Sequence, residues 1–395
     1  MPTNSVLEDY PRAMAAYLRH VGTAVPSHRY DQAAIQGVME AWVGGERRTD
    51  RLLRRVYPHS GIEQRHTVLG DFLSRAGATN EPTTHTTHVQ PQGPDEGFFL
   101  DDLGAFRNPT TGERNARYRR EAGPLYVAAA RATLDGAAGL RPEDVTHVIT
   151  VSCTGFYAPG PDLDVVHGLG LRPTTDRYHV GFMGCYAAFP ALRMARAFCH
   201  ADPNAVVLVV IVELCTLHLS ASSDVDAVIS ASVFADGAAG AIVTAQAPEG
   251  PSLLLDRFVD GLAPEGAGDM AWTIGTHGFD MVLSSYVPKI VGEKASLALE
   301  PLLDGSGVRL ADVTRWAIHP GGRAILDQLE RGMSLPPAAL EASRHVLAQY
   351  GNMSAATILF VLAEVMRSAL EPGEPVVAMA FGPGLTVASG LFRAT

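Results

Sequence analysis

Cys185 follows a glycine and opens the stretch Cys185-Tyr-Ala-Ala-Phe-Pro-Ala-Leu-Arg-Met-Ala195, which reads as a tight turn into a helix. A thiol at such a start meets the positive end of the helix dipole, which favours the thiolate and makes a nucleophile at neutral pH. His319 ends the strand-like run Arg315-Trp-Ala-Ile and precedes Pro320-Gly321-Gly322, whose glycines leave room for a substrate beside an imidazole. Asn352 follows Gly351 at a second glycine turn into a helix, Met353 to Phe360, and would bring an amide N–H to the same place. Taken singly, each has a plainer explanation: a small buried thiol, a hydrogen-bonded core histidine, a helix N-cap. Taken together they make one set for acyl transfer. Cys185 takes an acyl group from a thioester, and His319 pairs with the thiolate. His319 and Asn352 then donate to a thioester carbonyl oxygen, stabilising the enolate formed when a malonyl group loses carbon dioxide. Attack of that enolate on the acyl-cysteine is a Claisen condensation, and it needs no metal or redox cofactor.

The elements that must carry these residues occur twice. His147-Val-Ile-Thr-Val151 reads as a buried strand, the Gly184-Cys185 turn leads into a helix, and Ala205 to Glu213 reads as a further strand. In the second half Arg315 to His319, the Gly351-Asn352 turn and Pro375 to Phe381 repeat the order. An offset of 167 residues separates Val151 from Ile318 and Cys185 from Asn352, and 168 separates Glu213 from Phe381. Such agreement predicts an internally duplicated α/β unit whose two glycine-opened helices meet near the centre. The expected units are residues 1–245, bearing the cysteine, and residues 246–395, bearing the histidine and asparagine. Residues 77–108, rich in Thr, Pro, His and Gly and without period, read as a long surface loop. Its His85 and His88 lack neighbouring cysteines and are not expected to hold a metal.

Composition bounds the setting. With 395 residues, 47% hydrophobic and 18% charged, the chain can bury a large core. The net charge of -11 and the lack of a basic stripe argue against a nucleic-acid enzyme. Cys153, Cys185, Cys199 and Cys215 are widely spaced with no CxxC pair, which predicts free thiols in a reducing compartment. Residues 1–10 show no secretory signal, and the apolar run 205–212 is too short to span a bilayer. A cytoplasmic protein is expected.

Gly184-Cys185, Trp316-Ala-Ile-His-Pro-Gly-Gly322, Tyr350-Gly-Asn-Met-Ser354 and Phe381-Gly-Pro-Gly-Leu-Thr386 together resemble the type III polyketide synthases, the chalcone and stilbene synthase family. The resemblance covers nearly the whole chain apart from residues 77–108. It implies the thiolase-like duplicated αβαβα five-layered fold and a triad falling on Cys185, His319 and Asn352. It also implies a gatekeeping Phe234 in the string Phe234-Ala-Asp-Gly-Ala238, with Cys153, Thr154, Cys215, Trp272, Met281, Ser354 and Gly384 lining the substrate pocket. Coenzyme A would meet Arg55, Arg54 and Gly322, although Leu52 and His59 stand where plant members often carry lysines; a solvated helix face is the plainer reading of the two arginines. Acyl-coenzyme A and malonyl- or methylmalonyl-coenzyme A are the implied substrates, with no other cofactor and no metal. The Pro159-Gly160 loop implies a homodimer.

Departures set this chain apart from the plant flavonoid enzymes. Ala158 replaces a methionine, Cys153 and Cys215 replace threonines, and Trp272 replaces a glycine. Glu213-Leu-Cys-Thr-Leu-His218 and Gly278-Phe-Asp-Met281 look more like microbial alkylresorcinol and alkylpyrone synthases, which implies a fatty acyl starter and a resorcinol or pyrone product. A degradative thiolase would need a second reactive cysteine after Cys215, and none exists. A ketoacyl synthase III-like enzyme shares the triad but would take malonyl from acyl carrier protein.

Overall fold

The computed structural model describes residues 15–71, 85–92, 97–101 and 105–395. Its β-branched runs form the sheets that the sequence predicts. His147–Ser152 pairs in parallel with Val206–Leu214, and Arg315–Ile318 pairs in parallel with Pro375–Gly382. Each parallel pair continues into an antiparallel partner, Asp236–Thr244 in the first half and Thr386–Ala394 in the second. Leu253–Leu262 then lies along Thr386–Ala394, and Tyr17–Pro26 along Asp236–Thr244. The two half-sheets touch through only two residue pairs, Tyr17 with Leu254 and Leu18 with Leu253.

Alternation along the strands makes layers, because successive side chains point to opposite faces. Val207, Val209 and Ile211 face one apolar cluster, while Leu208, Val210 and Val212 face another. In the second half Val376, Ala378 and Ala380 join the first of these clusters, and Val377, Met379 and Phe381 join a third. The shared cluster holds the helices Ala188–Ala201 and Thr357–Arg367. Thr357–Arg367 is buried nearly all round, as a helix between two sheets must be. The long helix Thr111–Asp135 packs on the outside of the first half-sheet, and the helices Val287–Lys294, Ser296–Leu303 and Arg323–Gly332 on the outside of the second. The result is the five-layered αβαβα arrangement.

The segment 77–108 departs from the expected surface loop. Residues 77–84, 93–96 and 102–104 lie outside the described residues. Thr87–Val89, however, is a strand paired in parallel with Ala24–Pro26. Phe99 is fully buried against Trp42 and Phe106, and Asp71 accepts the N–H groups of Phe98, Phe99 and Leu100. A three-residue strand is too short to display a period, and Phe99 is held in part by Trp42 and Asp71, distant in sequence. His88 packs edge-on to His66, ring centroids 5.5 Å apart.

Candidate active site

Both glycine turns precede their helices instead of opening them. Gly184 has φ +80°, Ala187 donates to its carbonyl, and the helix starts only at Ala188, so Cys185 sits in the turn. Gly351 has φ +71°, a 3-10 turn spans Ser354–Ala356, and the helix starts at Thr357. His319 follows the parallel strand Arg315–Ile318, its N–H donating to the Met379 carbonyl at 2.8 Å. A Cβ on Gly321 would meet Ile325 Cδ1 at 2.7 Å and touch the imidazole at 3.8 Å, so the glycine keeps room between the ring and that side chain.

These turns deliver Cys185, His319 and Asn352 to one tight chamber of about 50 Å3. Cys153, Thr154, Cys215, Phe234, Trp272, Met281 and Ser354 line it with them, as expected from the sequence. Gly384 does not: it sits at φ +115° in the turn behind Pro383, which is the residue that reaches the wall. Met270, Leu283, Ile325 and Phe381 also line the chamber, and no sequence reading singled out the first three. Their common signal was weak, since Met270 and Leu283 face each other across the short hairpin Met270–Gly275 and Gly278–Leu283.

The polar groups of the chamber are few and differ sharply in their bonding. His319 is 1% exposed, and neither ring nitrogen has a hydrogen-bond partner. Burial pushes its pKa down to about 3, so the ring is neutral at pH 7. Asn352 is oriented by its neighbours: Oδ1 accepts the Ser354 N–H at 2.9 Å and Nδ2 donates to the Gly321 carbonyl at 3.2 Å. An amide NH2 has two hydrogens, so one donor remains for the chamber. The Cys185 thiol donates to Ser354 Oγ at 3.6 Å. Burial raises its pKa to about 12, with the Ser354 bond pulling the other way. This corrects the expectation of a resting thiolate favoured by a helix start: desolvation in an apolar chamber outweighs the dipole of a helix that begins three residues later.

Behind the thiol stands a buried carboxyl. Glu213 accepts the Cys153 N–H at 3.0 Å and the Thr154 hydroxyl at 2.9 Å. Burial nevertheless raises its pKa to about 7. Cys153 in turn ties three parts together. Its sulfur accepts the Gly184 N–H at 3.0 Å, and its carbonyl accepts Trp272 Nε1–H at 3.1 Å. All four cysteines carry free thiols.

Two further cavities adjoin the chamber. One, of about 790 Å3, shares Leu283, Gly321 and Ile325 with it and opens past Leu52, Arg55, His59, Gly322 and Arg323. Arg54 does not line it; one helical position from Arg55, it turns outward and pairs with Glu40 at 3.7 Å. The other, of about 180 Å3, shares Cys215, Phe234, Trp272 and Met281 and continues past His218, Leu219, Ser230 and Phe279. His218 stacks on Phe279 at 4.0 Å and stands edge-on to Trp272.

The chain matches the profile of the chalcone and stilbene synthases, N-terminal domain, over residues 101–247, and that of their C-terminal domain over residues 255–395. It is 35% identical to bisdemethoxycurcumin synthase of Oryza sativa subsp. japonica over 64% of this chain and 66% of that enzyme. It is 32% identical to the alpha-pyrone synthesis polyketide synthase-like Pks18 of Mycobacterium tuberculosis over 72% of this chain and 74% of the relative. The crystal structure of PKS-I from the brown alga Ectocarpus siliculosus superposes with a TM-score of 0.83 at 26% identity, covering 96% of this chain and 98% of that one.

Proposed function

The chain belongs to the chalcone and stilbene synthase family, the type III polyketide synthases, and on that premise we propose that it loads an acyl-coenzyme A starter on Cys185 and extends it with malonyl- or methylmalonyl-coenzyme A. The observation that carries this reading is the pair of unpartnered His319 nitrogens. Together with the spare Asn352 N–H, they converge with Cys185 on one enclosed chamber.

A neutral imidazole beside a neutral thiol is the resting pair. As a starter thioester enters, His319 takes the Cys185 proton, the sulfur attacks the carbonyl, and coenzyme A leaves with the proton returned to its thiol. Malonyl thioester then occupies the same place. An N–H of His319 and one of Asn352 hold its carbonyl oxygen while the carboxylate departs as carbon dioxide, leaving an enolate. The enolate carbon attacks the acyl-Cys185 carbonyl and expels the Cys185 sulfur as a thiolate. Walls of Phe234, Trp272, Met270, Met281 and Leu283 exclude water that would protonate the enolate. The roles divide between the proposed units, Cys185 from residues 1–245 and the two donors from residues 246–395.

We further propose an alkyl starter reaching the side cavity past Cys215, Trp272 and Met281, and a resorcinol or pyrone product, the pyrone in keeping with the relative named for alpha-pyrone synthesis. The strand Asp176–Gly181 is the exposed edge of the main sheet, with exposed Phe156, Ala158 and Pro159 close by, and this supports a homodimer. Free thiols fit a reducing cytoplasm, and no described helix is long and apolar enough to cross a membrane. The test of the division of labour is Asn352→Ala. It should acylate Cys185 normally yet lose on the order of a hundredfold in release of carbon dioxide from malonyl-coenzyme A. Wild-type decarboxylation would refute the role.

A further inference from the structure

In a chain of net charge -11, the outer cleft is lined, among the described residues, by Arg55, His59 and Arg323 and by no carboxylate. Resting on the coenzyme A reading above, we propose that Arg323 is a phosphate-binding residue of the thioester cleft. It lines the cleft together with Arg55 and supplies a guanidinium that Leu52 and His59 do not.

Three observations lead there. Arg323 is the first residue of the helix Arg323–Gly332, whose N-cap Gly322 offers no side-chain acceptor, and Gly322, Arg323 and Ala324 all line the cleft. A guanidinium at a helix N-terminus adds a full charge to the positive end of the dipole, an arrangement that suits phosphate oxygens. Second, the base of the Arg323 side chain packs against the turn from the first half. A Cβ on Gly61 would meet Arg323 Cβ at 3.2 Å, which sets Arg323 beside the turn that carries His59 and Ser60. Third, Arg323 is loosely held. It is about half exposed and lies 3.5 Å from Asp327, whose shorter contact is with Arg344 at 2.8 Å. Exposed pairs of that kind contribute little, so turning Arg323 toward a ligand costs little.

His59 is not an equal partner. Its Nδ1 bonds the Arg55 carbonyl at 2.8 Å and must be the donor there, so a neutral ring presents only an acceptor at Nε2. The guanidinium groups of the cleft are those of Arg55 and Arg323. Phosphates could arrive on coenzyme A or on the single phosphopantetheine linkage of a carrier protein, and substrate truncation separates the two.

The experiment compares wild type, Arg323→Gln and Arg323→Lys on one acyl starter with malonyl-coenzyme A, 3′-dephospho-malonyl-coenzyme A and the malonyl N-acetylcysteamine thioester, which has no phosphate. Loss of a charge-assisted phosphate contact should raise KM for malonyl-coenzyme A about tenfold or more in Arg323→Gln. The expected kcat stays within about twofold, KM for the phosphate-free thioester does not move, and Arg323→Lys recovers most of the loss. A KM change equal on all three thioesters, or none on malonyl-coenzyme A, overturns the assignment while leaving the coenzyme A reading intact. Wild-type turnover of the phosphate-free thioester, with none of malonyl-coenzyme A, overturns both.

Discussion

Phe234 and Asn352 lie side by side as a parallel β-bridge, with the Asn352 N–H donating to the Val233 carbonyl and its own carbonyl accepting from Ala235, both at 2.9 Å. The aromatic wall and the amide donor are therefore one unit. Buried Arg65 braces it, donating to the Ala231 and Phe234 carbonyls at 2.8 and 2.6 Å.

Gly351→Ala tests that unit. At φ +71° and ψ −163°, a region kept essentially for glycine, an alanine costs about 1–3 kcal/mol, and its Cβ would meet Arg65 Cγ at 3.0 Å and Ala235 Cβ at 3.1 Å. The variant should melt several degrees lower and lose more decarboxylation than Cys185 acylation. Equal losses in the two half-reactions would show that the turn serves stability alone.

Chain length should be set where the chamber meets the side cavity. Each buried methylene contributes about 0.8 kcal/mol, roughly fourfold in affinity, until the wall is reached. Catalytic efficiency should climb from short to medium or long acyl-coenzyme A. Cys215→Phe should move the optimum shorter, and Trp272→Ala longer. A preference for acetyl or aromatic starters that neither substitution moves would contradict the alkyl reading.

Much of this was legible before any coordinates. Cys185, His319 and Asn352 stand out because glycine turns and the repeated offset are local features. What the sequence misjudged depends on distant walls. The Cys185 thiol is raised to about 12 by a chamber built from segments more than 100 residues apart, and a helix start alone cannot report that. Arg54 and Arg323 exchange places for a similar reason: helix phase turns Arg54 toward Glu40, whereas packing against Gly61 brings Arg323 to the cleft. Phe99 in the segment 77–108 is buried by Trp42 and Phe106, with no period of its own to announce it.

Glu213 should leave a signature in stability against pH. Its folded-state pKa is raised from the ordinary 4.5 to about 7, so between those values the folded chain keeps a proton that the unfolded chain has released. That contribution is full below pH 4.5 and is lost as pH rises through 7, about 3 kcal/mol in all. His319, lowered from 6.5 to about 3, works in the opposite sense and destabilises as pH falls below 6.5. Glu213→Gln leaves the His319 effect in place, so the wild-type minus variant difference in urea unfolding should shrink from pH 5 to pH 8. Parallel curves would contradict the buried carboxyl.

Association should follow the open edge strand. Light scattering at micromolar concentration should give twice the 42.0 kDa chain mass, and Tyr178→Glu, on that edge, should weaken the dimer. A 42.0 kDa particle for the wild type would refute it.

The central claim is that Cys185 alone carries the growing chain, although Cys153 and Cys215 line the same chamber. Incubation with one starter acyl-coenzyme A, followed by peptide mass mapping, tests it most directly. The account predicts a single acyl adduct on the peptide bearing Cys185 and no adduct at all in Cys185→Ala. An adduct on Cys153, Cys199 or Cys215, or acylation surviving in that variant, would contradict it.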